Sequence, residues 1–213
     1  MFITSHTLVK NEERFVKQAL LSAADFVDRM LVWDTGSTDK TVEIIKSIKS
    51  PMIEFRQCGL VDRKGLVELR NQQINLTKTK WLLILDGDEI WPKKNLEKLI
   101  KKMKGAKKDT IALVNKTRNC VGDSQHYLSE KKGKYQIGSW KGHLNIRAIK
   151  NLKNLKVEGE YPLEAYILNG KKIQDQVDRL EFADTWYLHA THLKRSGWLH
   201  QLRVMDRIKK FKI

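Results

Sequence analysis

The sequence predicts an α/β fold: a doubly wound, mostly parallel sheet flanked by helices, with a less regular second half. Three observations carry this. Apolar runs of strand length alternate with stretches of helical period through the first hundred or so residues. The run at 80–85, KWLLIL, is continuously apolar after its lysine, as in a strand covered on both faces. Turn-rich acidic segments, DTGSTD and DGDE, directly follow two of the strands.

A short strand precedes Val9. Residues 12–24 place Phe15, Val16, Ala19, Leu20 and Ala23 on one helical stripe. Residues 29–33, RMLVW, form a strand that ends at DTGSTD, where Ser37, Thr38 and Asp39 offer cap and first-turn chemistry for a helix through TVEIIKSI. MIEF at 52–55 is a strand, and 65–76 is a helix with Leu66, Leu69 and Ile74 roughly on one face. LEKLIKKM is an amphipathic helix. The segments 110–116, 143–149 and 185–190 extend the sheet, with antiparallel pairing open to them.

Composition bounds the rest. A chain of 213 residues is the size of one large domain, with room for a core that needs no staples. Cys58 and Cys120 lack metal-knuckle spacing and predict ordinary thiols. The polar opening is not that of a secretory leader, and no run approaches the ~20 apolar residues that span a bilayer. A cytoplasmic location is the expectation. The net charge of +16 points to an anionic partner: nucleic acid, lipid headgroups or a phosphorylated ligand. It is clumped. Residues 93–108 carry eight lysines against Glu97 and no other acid, and a second cluster closes the chain at 194–212. Within 193–213, Leu199, Leu202, Met205 and Ile208 make an apolar helical face with basic flanks. That suits either a packed closing helix or contact with the inner face of an anionic membrane.

Asp86-Gly87-Asp88, directly after the buried strand, is the sharpest chemical signal. Two carboxylates one residue apart on an extended turn both reach a hard cation or its waters. Acidic residues also simply end buried strands, so the pair alone does not decide. Asp34 stands at another strand end, before a glycine turn and a helix N-terminus, where a nucleoside and a phosphate can be held as readily as a well-capped loop can form.

Taken in order, Val9-Lys10-Asn11-Glu12-Glu13, Asp34-Thr35-Gly36-Ser37-Thr38-Asp39, Leu69-Arg70-Asn71 and Leu85-Asp86-Gly87-Asp88-Glu89 with Pro92 behind resemble glycosyltransferase family 2. The likeness covers roughly residues 1–105. It implies a GT-A fold over residues 1–192, with 1–105 as the nucleotide-sugar half and 106–192 as the acceptor side. It further implies transfer from a UDP- or GDP-linked sugar to a glycan or lipid-linked acceptor, with inversion and with Mn²⁺ or Mg²⁺. By the same resemblance, Leu8, Val9, Lys10 and Asn11 line the nucleobase pocket, Asp34 and Thr35 meet the nucleoside, Arg70 lies near the diphosphate, and Asp86, Gly87 and Asp88 form the metal and diphosphate motif. Many members carry a second aspartate where this chain has Thr35, which leaves the base open.

Inverting transfer needs a carboxylate to take the acceptor's proton. Glu164, after an aromatic-proline turn, resembles the glutamate of some relatives, and Glu160 is the second choice. His192 or His189 could complete a metal shell, and imidazole suits Mn²⁺ better than Mg²⁺. Each is equally readable as a core histidine. Three rivals remain. A nucleotidyltransferase would normally show a glycine-rich loop after the first strand, whereas the first glycine here is Gly36. A nucleic-acid module would leave the buried-strand carboxylates unexplained, so no nucleic acid is expected. A catalytically silent sugar-nucleotide binder shares every motif.

Overall fold

The computed structural model describes residues 1–193. The expected basic C-terminal helix therefore lies outside the described residues from 194 onward. The chain runs β1 (Ile3–Val9), α1 (Val16–Ala24), β2 (Arg29–Asp34), α2 (Thr41–Ser47), β3 (Ile53–Gln57), α3 (Arg63–Leu76), β4 (Trp81–Ile84), β5 (Glu89–Ile90) and α4 (Lys93–Lys104). It continues as β6 (Ala112–Val121), β7 (Asp123–Tyr127), β8 (Tyr135–Ile137), β9 (Trp140–Gly142), β10 (Leu144–Lys150), β11 (Leu155–Glu158), β12 (Ala165–Leu168), β13 (Lys171–Lys172) and β14 (Leu180–His189).

One sheet has the order β3-β2-β1-β4-β10-β6-β14-β5, with β7 on β6. β1 to β4 are mutually parallel, β10 is antiparallel to β4 and β6, and β14 runs parallel to β6. Both faces are covered, which explains the continuous apolar run. Trp81, Leu83 and Leu85 pack with α1, α2 and α4 through Val16, Leu20, Ile45, Leu96 and Leu99. Leu82 and Ile84 point the other way, toward Val67 and Ile74 of α3 and the small β11-β12-β13 sheet. Because the chain winds outward from β1 through β2 to β3 and then returns to β4, the carboxyl ends of β1, β2 and β4 border one crevice.

Two local expectations are corrected. Residues 12–15 are not helix, with 13–15 forming a turn, and α1 starts at Val16, because Glu12 is held to the start of α2 by its amide, which donates to Thr41 Oγ1 at 2.7 Å. The cap of α2 falls on Lys40, which makes no side-chain cap bond. Ser37 Oγ instead accepts the amide of Asn11 at 2.9 Å, and Asn11 Oδ1 accepts the amide of Thr38 at 2.8 Å. Tertiary ties between the loops after β1 and β2 took Ser37 and Thr38, while Asp39 keeps its expected local role, its Oδ1 accepting the Thr41 amide at 3.0 Å. Asn11 sits at φ 56°, a conformation that asparagine tolerates.

His6 of β1 is fully buried. Thr77 Oγ1 donates to the Gln73 carbonyl at 2.8 Å, so His6 Nε2 is the donor in its 2.6 Å bond to Thr77. Burial first, then the charges of Arg70 and Arg29, hold its pKa down from 6.5 to about 3. The unfolded chain therefore binds the extra proton first. Stability is fully present above about pH 6.5 and is expected to fall at lower pH by up to about 1.4 kcal/mol per unit from this group. Urea midpoints across pH 7.5 to 5 check this, and His6→Gln should flatten the slope.

Candidate active site

The site collects at the carboxyl ends of β1, β2 and β4. Val9 is buried, Leu8 half-buried and Lys10 exposed, and the Val9 carbonyl accepts the Thr35 amide at 2.9 Å. Asp34 is 2% exposed, and its carboxylate accepts the amides of Gly36 and Ser37, both at 3.1 Å from Oδ2. Its immediate work is to close the turn, for which Gly36 adopts φ 91°. The guanidinium of Arg56 lies 5.1 Å over the ring of Trp33 beside it.

Gly87 is required by close approach: a Cβ there would meet Val9 Cγ2 at 2.9 Å. That contact presses the Asp86–Asp88 turn against the end of β1, linking the two motifs. The two aspartates then face different surroundings. Asp88 is 4% exposed, with Oδ2 3.2 Å from Nε2 of His189 on β14, whose Nδ1 is 3.3 Å from Asn119 Oδ1. Burial works against charge on His189, but the Asp88 carboxylate outweighs it and its pKa rises. Asp86 is more open and lies between two arginines: Arg147 Nη2 donates to its Oδ2 at 2.9 Å, and Arg70 Nη2 is 4.0 Å from Oδ1.

Arg147, in the middle of β10, also donates to the fully buried Glu89, and its Nε donates to the Tyr187 hydroxyl at 3.2 Å. Burial lifts the Glu89 pKa to about 7 against the pull of Arg147. Arg147 was not singled out from the sequence, and Glu89 entered there only as the last residue of the Leu85–Glu89 motif, with no role of its own. The available signal was an arginine inside the strand HLNIRAI, since a buried charge needs a partner.

Glu164 and Glu160 separate clearly. Glu160 is exposed and pairs with Lys64 at 3.7 Å. Glu164, just ahead of β12, is only 13% exposed, with Oε1 3.5 Å from Arg70 Nε. Its Oε2 is buried with no hydrogen-bond partner among the described residues. The segment is tied to α3 by Asn71, whose Nδ2 donates to the Val157 carbonyl at 2.9 Å and whose Oδ1 accepts the Val157 amide at 2.8 Å. The structure thus brings Arg70, Asp86, Arg147 and Glu164 into one connected cluster. The Asp88–His189 pair follows along the same turn. His192 is half-buried on the turn after β14.

Among the described residues, no three His, Cys, Asp or Glu side chains stand close enough together to hold a metal ion by themselves. The Asp88 carboxylate and the His189 imidazole are donors of the kind a divalent ion takes, and they are the residues that would hold one. No helix among the described residues is long and apolar enough to cross a membrane. The face of α4 bearing Leu96, Leu99 and Met103 is buried, and two of its lysines pair with acids of β14, Lys98 with Asp184 and Lys102 with Glu181.

Comparison with known proteins places the molecule. The family model of Glycosyl transferase family 2 matches residues 6–164. A 99-residue stretch, 46% of the chain, is 31% identical to the SPbeta prophage-derived glycosyltransferase SunS of Bacillus subtilis. That match covers 23% of SunS, and the chain spans about a quarter of the curated relatives it matches. Among solved structures, residues 1–349 of S. aureus TarS in complex with UDP-GlcNAc superpose with a TM-score of 0.62 at 15% identity, over 94% of this chain and 61% of that one. Glucosyl-3-phosphoglycerate synthase of Mycobacterium tuberculosis, in complex with Mn²⁺, UDP and glucosyl-3-phosphoglycerate, gives 0.56 at 16% identity, over 97% and 76%. At these identities the structures establish the fold, GT-A.

Proposed function

The chain belongs to glycosyl transferase family 2, and from that premise we propose that it moves a sugar from a UDP-linked donor to an acceptor hydroxyl, with inversion and with a divalent ion. The observation that carries the reading is the union of the Asp86-Gly87-Asp88 turn with Arg70 and Glu164 at one crevice. The nucleoside end is assigned to residues 8–11 with Asp34 and Thr35. Arg70 and Arg147 supply fixed positive charge beside Asp86, where the diphosphate develops its charge on leaving. Asp88 and His189 are the protein ligands that would hold Mn²⁺ or Mg²⁺, and His192 is the further candidate. A bound ion there neutralises the leaving group.

Glu164 takes the acceptor's proton. Its burial and its unpaired Oε2 favour it over the solvent-facing Glu160. The acceptor classes consistent with the family are a glycan or a lipid-linked carrier, such as those of cell-envelope polysaccharides.

UDP is expected to bind well only with Mn²⁺ or Mg²⁺, since the Asp86 and Asp88 carboxylates repel a bare diphosphate. Calorimetry with and without EDTA reads this directly, and equal affinity in both would remove the metal from the site. A matched GDP titration decides the base that Thr35 leaves open.

A further inference from the structure

His189, the imidazole partner of Asp88, ends a continuous chain of side-chain hydrogen bonds that runs out to the segment after β7. Its Nδ1 is 3.3 Å from Asn119 Oδ1, Asn119 Nδ2 is 3.3 Å from His143 Nδ1, and His143 Nε2 is 3.2 Å from the Ser129 carbonyl. Asn119 stands opposite His189 in the parallel pairing of β6 with β14, and His143 lies just ahead of β10. The main chain is held at the same places. The Leu128 amide donates to the Asn119 carbonyl at 3.0 Å, and the Thr117 amide donates to the His143 carbonyl at 2.8 Å.

The chain of bonds has a direction, fixed at its outer end. A carbonyl only accepts, so His143 Nε2 carries the hydrogen in its bond to Ser129. A neutral imidazole protonated there keeps a lone pair at Nδ1. The amide nitrogen of Asn119 complements that lone pair, which turns Asn119 Oδ1 toward His189 to take the hydrogen of Nδ1. Nδ1 of His189 is thereby committed as a donor. The lone pair left for a ligand is that of Nε2, which faces Asp88 Oδ2 at 3.2 Å. With the amide reversed, its nitrogen would confront Nδ1, the ring hydrogen would move to Nε2, and no lone pair would point toward Asp88.

We infer that Asn119 and His143 are positioning residues that hold the His189 ring and its tautomer so that Nε2 is presented, beside Asp88, to a divalent cation. This rests on the reading above in which Asp88 and His189 hold the ion. A hydrogen bond to the far nitrogen of a metal-ligating imidazole fixes both tautomer and ring orientation, and its loss costs about 10- to 100-fold in metal affinity.

Two measurements test the assignment. Imidazole nitrogen NMR shifts of the metal-free protein, at about pH 8.5 where an ordinary imidazole is neutral, should show His143 with its hydrogen on Nε2 and none on Nδ1. A hydrogen on His143 Nδ1 would reverse the Asn119 amide and overturn the inference. The second probe is Mn²⁺, titrated with UDP in constant excess and read from the EPR signal of the unbound ion, against a blank of UDP without protein. Asn119→Leu keeps the side-chain bulk, removes both hydrogen bonds and should weaken Mn²⁺ binding by about tenfold or more. Asn119→Asp keeps an acceptor facing His189 and should bind Mn²⁺ at least as well as the wild type. Wild-type affinity in Asn119→Leu, or an equal loss in Asn119→Asp, overturns the positioning role alone. His189→Leu tests the underlying reading separately. If it binds Mn²⁺ as tightly as the wild type, the ion is not held at His189, and the metal assignment falls together with the inference.

Discussion

Glu164→Gln is expected to lower sugar transfer by about a hundredfold or more, the scale on which a general base contributes, while UDP affinity stays within a few-fold of the wild type. The side chain keeps its size and its place beside Arg70 but loses the basic carboxylate that the proposed mechanism requires. A base acts on the acceptor and not on the donor, so kcat should carry the loss. Glu160→Gln is the internal control. Glu160 is exposed and paired with Lys64, so its variant should turn over at close to the wild-type rate. Comparable turnover in Glu164→Gln and wild type would move the proton to another carboxylate.

Arg147→Met is expected to destabilise the fold by about 3–5 kcal/mol, the usual cost of removing one member of a buried ion cluster. The reason lies with what remains. Glu89 has no exposed surface, and its pKa already stands at about 7 with Arg147 in contact. Without that guanidinium, burial and the neighbouring Asp86 would drive Glu89 to its neutral form at the pH of the assay. Chemical denaturation of Arg147→Met, Glu89→Gln and the double variant separates the pair energy from the single losses. Coupling should be strong, with the double variant less damaged than the two singles added together. Purely additive losses would mean that Arg147 stabilises through packing on Tyr187 and not through charge.

Much of the first half could be read directly from residue order. β1 to β4 and the helices between them follow from apolar runs and helical stripes, because a strand buried on both faces has to be apolar throughout and a helix on its surface has to be apolar on one side. Trp81, Leu82, Leu83 and Ile84 illustrate the first point, and Val16, Ala19, Leu20 and Ala23 the second. Asp34 and the Asp86–Asp88 pair were found for a related reason: charge immediately after an apolar run lies at a strand end, where a parallel sheet binds its ligands.

Tertiary structure decided what depends on distant partners. The cap of α2 shifted because Asn11 took up Ser37 and Thr38. Asp86 and Asp88 look equivalent on the page, yet one is clamped by Arg147 and the other faces His189, from strands some sixty and a hundred residues further on. Glu160 and Glu164 differ by one turn of chain, and the anchoring of that segment to α3 by Asn71 and Arg70 sends one outward and the other inward. Periodicity and strand-end position are local properties, so sequence carried the sheet and its ligand edge. Charge pairing is a property of side chains brought together across the fold, so the burial of Glu164 against Arg70 and the buried pair of Arg147 and Glu89 came from the folded chain.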